Sequence, residues 1–173
     1  MTFFHTELET QGLKCVLFNF EYMEQKRKIP DPQPKLQARY RSVVTEVMDK
    51  YHPKRIFIGG KSMGGRVASY IASGLPGLNG LIFLGYPLHP PGKPDQLRDS
   101  HLYELTIPML FISGTKDTFA RKDLLDRVVK KIGSNATLSW VQGGDHSLKR
   151  TRNDLDSLQA GVTTIEHWVN SAS

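Results

Sequence analysis

Apolar and polar positions alternate along the chain in blocks that change period. Residues Phe3 to Gln11 carry helical spacing and stop at Gly12, a residue suited to a C-terminal cap. Lys14 to Phe20 is nearly continuously apolar, the pattern of a strand buried on both faces. Glu21 to Pro34 is polar, and Pro30, Pro32 and Pro34 argue against regular structure there. From Lys35 to Tyr51, the positions Leu36, Tyr40, Val43, Val44, Val47 and Met48 recur at helical intervals. A short apolar run, Arg55 to Ile58, then meets a glycine-rich turn and a helix-prone segment, Arg66 to Ala72.

The second half repeats this alternation. Strands are expected at Gly80 to Tyr86, Met109 to Ser113 and Thr137 to Val141. Between them lie a proline-rich loop with a short helix near Asp95 to Glu104, and a helix at Arg121 to Ile132. A last helix covers Leu155 to Val169. Strand and helix alternate throughout, which predicts an α/β fold: a mostly parallel sheet of about five strands with helices on both faces. No internal repeat and no long linker divides residues 1–173, so one domain is expected.

Composition narrows the classes. With 39% hydrophobic and 23% charged residues, the chain reads as an ordinary globular protein. The net charge of +6 is scattered, with a cluster at Lys26-Arg27-Lys28 and smaller ones at Lys130-Lys131 and Lys149-Arg150. No aromatic residues interleave with them, so a solvated basic face is expected and no nucleic-acid partner. The single cysteine, Cys15, has no internal disulfide partner and sits in an apolar run. That setting and the absence of an apolar span or leader suggest a cytoplasmic protein with no membrane partner. No histidine or carboxylate cluster has metal-ligand spacing, and no metal or other cofactor is expected.

Gly60-Lys61-Ser62-Met63-Gly64 carries the chemistry. A strand followed by small-x-Ser-x-small and a helix is the pattern of a nucleophile elbow, with Ser62 at its tip. Glycines at 60 and 64 are expected where the sharp turn leaves no room for side chains. The Met63 amide, at the start of a helix, would point toward an oxyanion. Gly60-Lys61-Ser62 also ends like a phosphate-binding P-loop, but that motif needs glycine where the chain has Arg55. The plainest alternative is a glycine-rich turn with a surface serine.

Serine needs a base to take its proton, and the base needs an orienting group. In a parallel sheet these belong in loops beyond the carboxyl ends of strands, in the order serine, acid, histidine. Asp117, in Gly114-Thr115-Lys116-Asp117, and His146, in Gly143-Gly144-Asp145-His146, meet both conditions. Each has a simpler use: Asp117 as turn or helix-cap chemistry, His146 as an exposed loop residue. His89 and His101 are expected in the lid or on the surface, and Asp145 pointing away from its neighbour.

At these residues the chain resembles the α/β-hydrolase superfamily. Within it, the chain is similar to the predicted hydrolases allied to dienelactone hydrolase and to the testis-expressed hydrolase-like proteins. The likeness rests on Phe18 to Met23, Gly59 to Arg66, Gly85 to Pro94, Gly114 to Asp117 and Gly144 to Ser147. It implies Ser62 as nucleophile, His146 as general base and acid, and Asp117 as orienting carboxylate. It implies a serine hydrolase acting on an ester, thioester or similar small acyl substrate. The alternative is a non-catalytic hydrolase-like module that binds a protein partner. Dienelactone hydrolases carry cysteine at the elbow, so their substrate does not transfer.

Similar hydrolases begin with a strand and a His-Gly loop that donates a second oxyanion hydrogen bond. Met1 falls at the first helix here, so both are expected to be missing by truncation. The lost donor would slow catalysis on the order of 100- to 1000-fold. The gap between Lys14–Phe20 and the elbow strand would be closed, or filled by self-association or a partner strand. Tyr86 to Glu104 is expected to overhang the site as a stiff cap.

Overall fold

In a computed structural model, which describes residues 1–171, four parallel strands form one sheet in the order β1-β2-β3-β4. They are β1 (Phe57–Lys61), β2 (Gly80–Leu84), β3 (Met109–Gly114) and β4 (Ala136–Val141). The helices are α1 (Thr2–Thr10), α2 (Glu21–Glu24), α3 (Gln33–Tyr51), α4 (Met63–Ala72), α5 (Lys122–Ile132) and α6 (Leu155–Ser171). The register pairs Gly60 with Phe83, Phe83 with Phe111, and Phe111 with Leu138. Strand order therefore follows chain order, so each crossover moves the chain one place along the sheet.

Pleating sends alternate side chains to opposite faces. Leu81, Phe83, Met109 and Phe111 join the core under α3, α4 and α5, with Val67, Ile71, Leu125 and Val128. Leu84, Leu110 and Ile112 face α1 and α6 and pack with Phe4, Leu158, Val162 and Ile165. Both faces of the central strands are thus covered, which explains their unbroken apolar sequence.

The expected strand at Lys14–Phe20 is not formed, so the sheet has four strands where about five were expected. A parallel strand needs a neighbour for its amides and carbonyls. No strand among the described residues pairs with this segment or with the outer side of β1. Val16 and Leu17 remain 49% and 45% exposed. Phe18 and Phe20 instead pack on the ring of Tyr40, with centroids 4.9 and 6.3 Å away. Tyr40 in turn serves the edge of β1. Its hydroxyl accepts from Gly59 N–H at 3.0 Å and donates to Gly59 C=O at 2.5 Å. One hydroxyl can take both roles because it is donor and acceptor together.

Smaller departures have local causes. Glu21–Glu24 forms one helical turn inside the expected loop, and Pro34 sits in the first turn of α3. Proline is tolerated there because the first helical N–H groups have no intrahelical acceptor. The short helix near Asp95 is a 3-10 turn at Ser100–Glu104. Cys15 is half-buried, and burial pushes its thiol pKa up.

Candidate active site

Ser62 lies between β1 and α4 with φ +52° and ψ −120°, a conformation that side chains other than glycine rarely take. The turn is held by Ser62 N–H donating to Leu84 C=O at 2.9 Å and Arg66 N–H donating to Ser62 C=O at 3.2 Å. Crowding falls at Gly60 and Gly65, not at Gly64 as expected. A Cβ on Gly65 would lie 2.7 Å from Gly60 C=O, whereas one on Gly64 would meet nothing within 4 Å. Helix α4 therefore packs its second glycine against the incoming strand and leaves the first open. Met63 opens α4, so its N–H is one of the helix's four donors without an intrahelical acceptor.

The loops after β3 and β4 are tied together. Lys116 N–H donates to Gly144 C=O at 2.8 Å, and Gly143 N–H to Thr115 Oγ1 at 2.8 Å. This fixes Asp117 relative to His146. His146 Nδ1 lies 3.0 and 2.9 Å from the two Asp117 carboxylate oxygens, and Nε2 lies 2.8 Å from Ser62 Oγ. The three residues from three loops form one hydrogen-bonded line. The carboxylate fixes the tautomer: Nδ1–H donates to Asp117, which leaves Nε2 free to accept from Ser62 O–H.

The line has an asymmetric setting. The Asp117 side chain is fully buried, while that of His146 is 20% exposed. Asp117 also accepts from Phe119 N–H at 2.8 Å. The Phe119 ring leans on the imidazole at 4.3 Å between centroids. Asp145 points away as expected: its carboxylate accepts from Ser147 and Lys149 N–H at 2.7 and 3.3 Å. A cleft of about 820 Å³ lies beside these loops, lined among others by Phe4, Lys61, Lys116 and Ser147.

Sequence reasoning missed Phe119, whose only trace is its place two residues after Asp117, where an aspartate commonly caps a backbone amide. His89 lies in the proline-rich segment, one of the two places expected for it, and is buried there. Its N–H donates to Phe119 C=O at 3.0 Å, Nε2 accepts from Arg121 N–H at 3.2 Å, and Nδ1–H donates to Pro90 C=O at 2.9 Å. His89 thus fastens the proline-rich loop to the segment that carries Asp117. His101, in the 3-10 turn of the same segment, is half-buried: its Nε2 meets Ser69 Oγ at 2.8 Å and its ring stacks on Tyr70. Burial lowers its pKa to about 4. Among the described residues no three His, Cys, Asp or Glu side chains are grouped to hold a metal ion.

A family model described as an alpha/beta hydrolase domain matches residues 1–171. Among solved structures, the chain is similar to an alpha-beta serine hydrolase homologue from Coxiella burnetii. The TM-score is 0.75 at 20% identity, over 93% of this chain and 73% of that one. It is similar to an a/b serine hydrolase without lid from Xanthomonas campestris, with a TM-score of 0.73 and 23% identity, over 94% and 72%. It is also similar to the esterase domain of a Rhodothermus marinus protein, with a TM-score of 0.70 and 16% identity, over 96% and 77%.

Proposed function

The chain belongs to the alpha/beta hydrolase domain family, and from that membership we propose that it is a serine hydrolase of small acyl esters or thioesters. The observation that carries this reading is the unbroken hydrogen-bonded line from Ser62 through His146 to Asp117. Ser62 Oγ attacks the acyl carbonyl while His146 Nε2 takes its proton. Asp117 stabilises the resulting imidazolium and keeps it aimed. The Met63 N–H donates to the tetrahedral oxyanion. Nε2 then returns the proton to the leaving oxygen or sulfur, and the carbonyl–leaving-group bond breaks. In the second half, His146 deprotonates a water that attacks the Ser62 ester, and the acid departs as Ser62 recovers its proton.

The rest of the reading follows the same architecture. Residues 1–173 act as one domain, and Tyr86 to Glu104 forms a cap that shapes specificity. Its burial of Tyr86 and Leu88 and the anchoring by His89 favour a stiff cap over a swinging one. The narrower kinship with dienelactone hydrolase relatives is part of the proposal.

The test is hydrolysis of p-nitrophenyl acetate. Ser62→Ala and His146→Ala are expected to fall to the buffer rate, and Asp117→Asn by about 10⁴-fold or to that rate. Activity in folded Ser62→Ala equal to the parent would overturn the reading.

A second role draws on separate observations: no strand among the described residues pairs with the outer edge of β1, where the Tyr40 hydroxyl bonds Gly59, and Val16 and Leu17 are exposed. An unpaired edge accepts a strand from another chain. Self-association there predicts a dimer by sedimentation that Val16→Lys and Leu17→Lys dissociate. A monomer at all concentrations would contradict it.

A further inference from the structure

The loop after β2 runs Pro87-Leu88-His89-Pro90-Pro91. Three prolines in five residues leave it little backbone freedom. Its base is rooted in the core. Tyr86 and Leu88 are buried, the Tyr86 hydroxyl donates to Arg98 C=O at 2.8 Å, and Leu88 C=O accepts from Arg98 N–H at 2.8 Å. His89 is only 2% exposed, so water has little access to the groups it holds.

Two groups of His89 grip one short stretch of chain. The backbone N–H donates to Phe119 C=O at 3.0 Å, and Nε2 accepts from Arg121 N–H at 3.2 Å. Nδ1 faces Pro90 C=O at 2.9 Å. A carbonyl only accepts, so Nδ1 carries the proton and Nε2 is left bare for Arg121.

Phe119, beside these anchors, touches both members of the acid–base pair. Its N–H donates to Asp117 Oδ1 at 2.8 Å, and its ring lies at 35° to the His146 imidazole with centroids 4.3 Å apart. Gly85, where the loop leaves β2, borders the same pair. A Cβ there would lie 2.9 Å from His146 C=O, 3.4 Å from His146 Nδ1 and 3.6 Å from Asp117 Oδ2. The loop therefore meets the pair twice, directly at Gly85 and through Phe119 at His89. Hydrogen bonds weaken steeply off line, so a small swing of the imidazole would carry Nε2 away from the Ser62 hydroxyl.

We propose that His89 is a positioning residue for the triad: it holds Phe119 so that the Asp117 carboxylate and the His146 ring stay aimed at Ser62, and it thereby couples the proline-rich loop to the reactivity of the serine. The consequence for rate rests on the serine-hydrolase reading, whereas the bracing stands on the hydrogen bonds and the ring contact.

The experiment compares His89→Leu, His89→Gln and Phe119→Leu by two readouts. Leucine at position 89 leaves Arg121 N–H without an acceptor, whereas the glutamine amide oxygen can accept that bond. In p-nitrophenyl acetate hydrolysis, kcat is expected to fall about tenfold in both leucine variants, the effect of one lost hydrogen bond, with KM within about twofold. His89→Gln should recover most of it. The second readout is the low-field proton NMR signal of His146 Nδ1–H, recorded in proteins that also carry Ser62→Ala and assigned by its loss in Asp117→Asn. It should shift or broaden in the leucine variants and hold its place in His89→Gln. If His89→Leu does not fold, Phe119→Leu and His89→Gln carry the same comparison. Folded leucine variants with the parent's kcat, or with an unmoved signal, would overturn the proposal. Parent protein that shows the signal, loses it in the leucine variants and hydrolyses no p-nitrophenyl acetate would keep the bracing and sink the hydrolase reading alone.

Discussion

Ser62 occupies a backbone position that suits glycine, and it does so where its hydroxyl meets His146. Such strain costs on the order of 1–3 kcal/mol and persists because the surrounding hydrogen bonds determine the turn. Ser62→Gly is therefore expected to unfold in urea at higher free energy than Ser62→Ala, by about 1 kcal/mol. Equal stabilities would mean that the turn stores no strain. His101 supplies a second residue-level prediction, through pH. Its folded pKa of about 4 lies below the ordinary 6.5, so the unfolded chain takes up the proton first. Stability from the neutral ring is complete above about pH 6.5 and drains away as pH falls toward 4, by on the order of 3 kcal/mol. Asp154 adds its own loss lower down, because its contacts with Arg150 and Ser157 hold its carboxyl below the usual range. Melting temperatures from pH 7 to 4 should fall less in His101→Phe than in the parent. Parallel curves would remove His101 from the account.

The elements differ in how much of them could be read from residues alone. The β1–Ser62–α4 unit was legible because glycine, serine and an apolar run stand in fixed order along a few residues. Which glycine is crowded was not, since the contact of Gly65 with Gly60 C=O depends on how α4 returns against β1. Lys14–Phe20 misled for a related reason. Its apolar pattern reports a liking for burial, whereas a strand also requires a neighbour, and the pattern says nothing of that. The structure gives the aromatic residues of this segment to Tyr40 and lets that hydroxyl satisfy Gly59. Tyr40→Phe keeps the ring contacts and removes both hydrogen bonds. It should destabilise the protein by about 1–3 kcal/mol in urea unfolding, the cost of leaving buried polar groups unpaired. A change under about 0.3 kcal/mol would show that the edge of β1 needs no such plug.

At the scale of the molecule, the proposed function rests on three loops at one edge of one sheet. Ser62 follows β1, Asp117 follows β3 and His146 follows β4, so parallel strands deliver all three to the same edge. That convergence could be foreseen from the order serine, aspartate, histidine at successive strand ends. The residues that brace it, Phe119 and His89, could not, because they act through contacts between loops distant in sequence. No helix among the described residues is long and apolar enough to cross a membrane. The central claim is that this edge makes Ser62 a nucleophile, and a fluorophosphonate probe tests it most directly. The account predicts one covalent adduct on the peptide containing Ser62. That adduct should disappear in Ser62→Ala and form at least about 100-fold more slowly in His146→Ala. Folded parent protein that takes up no probe, or labels as fast without His146, would contradict it.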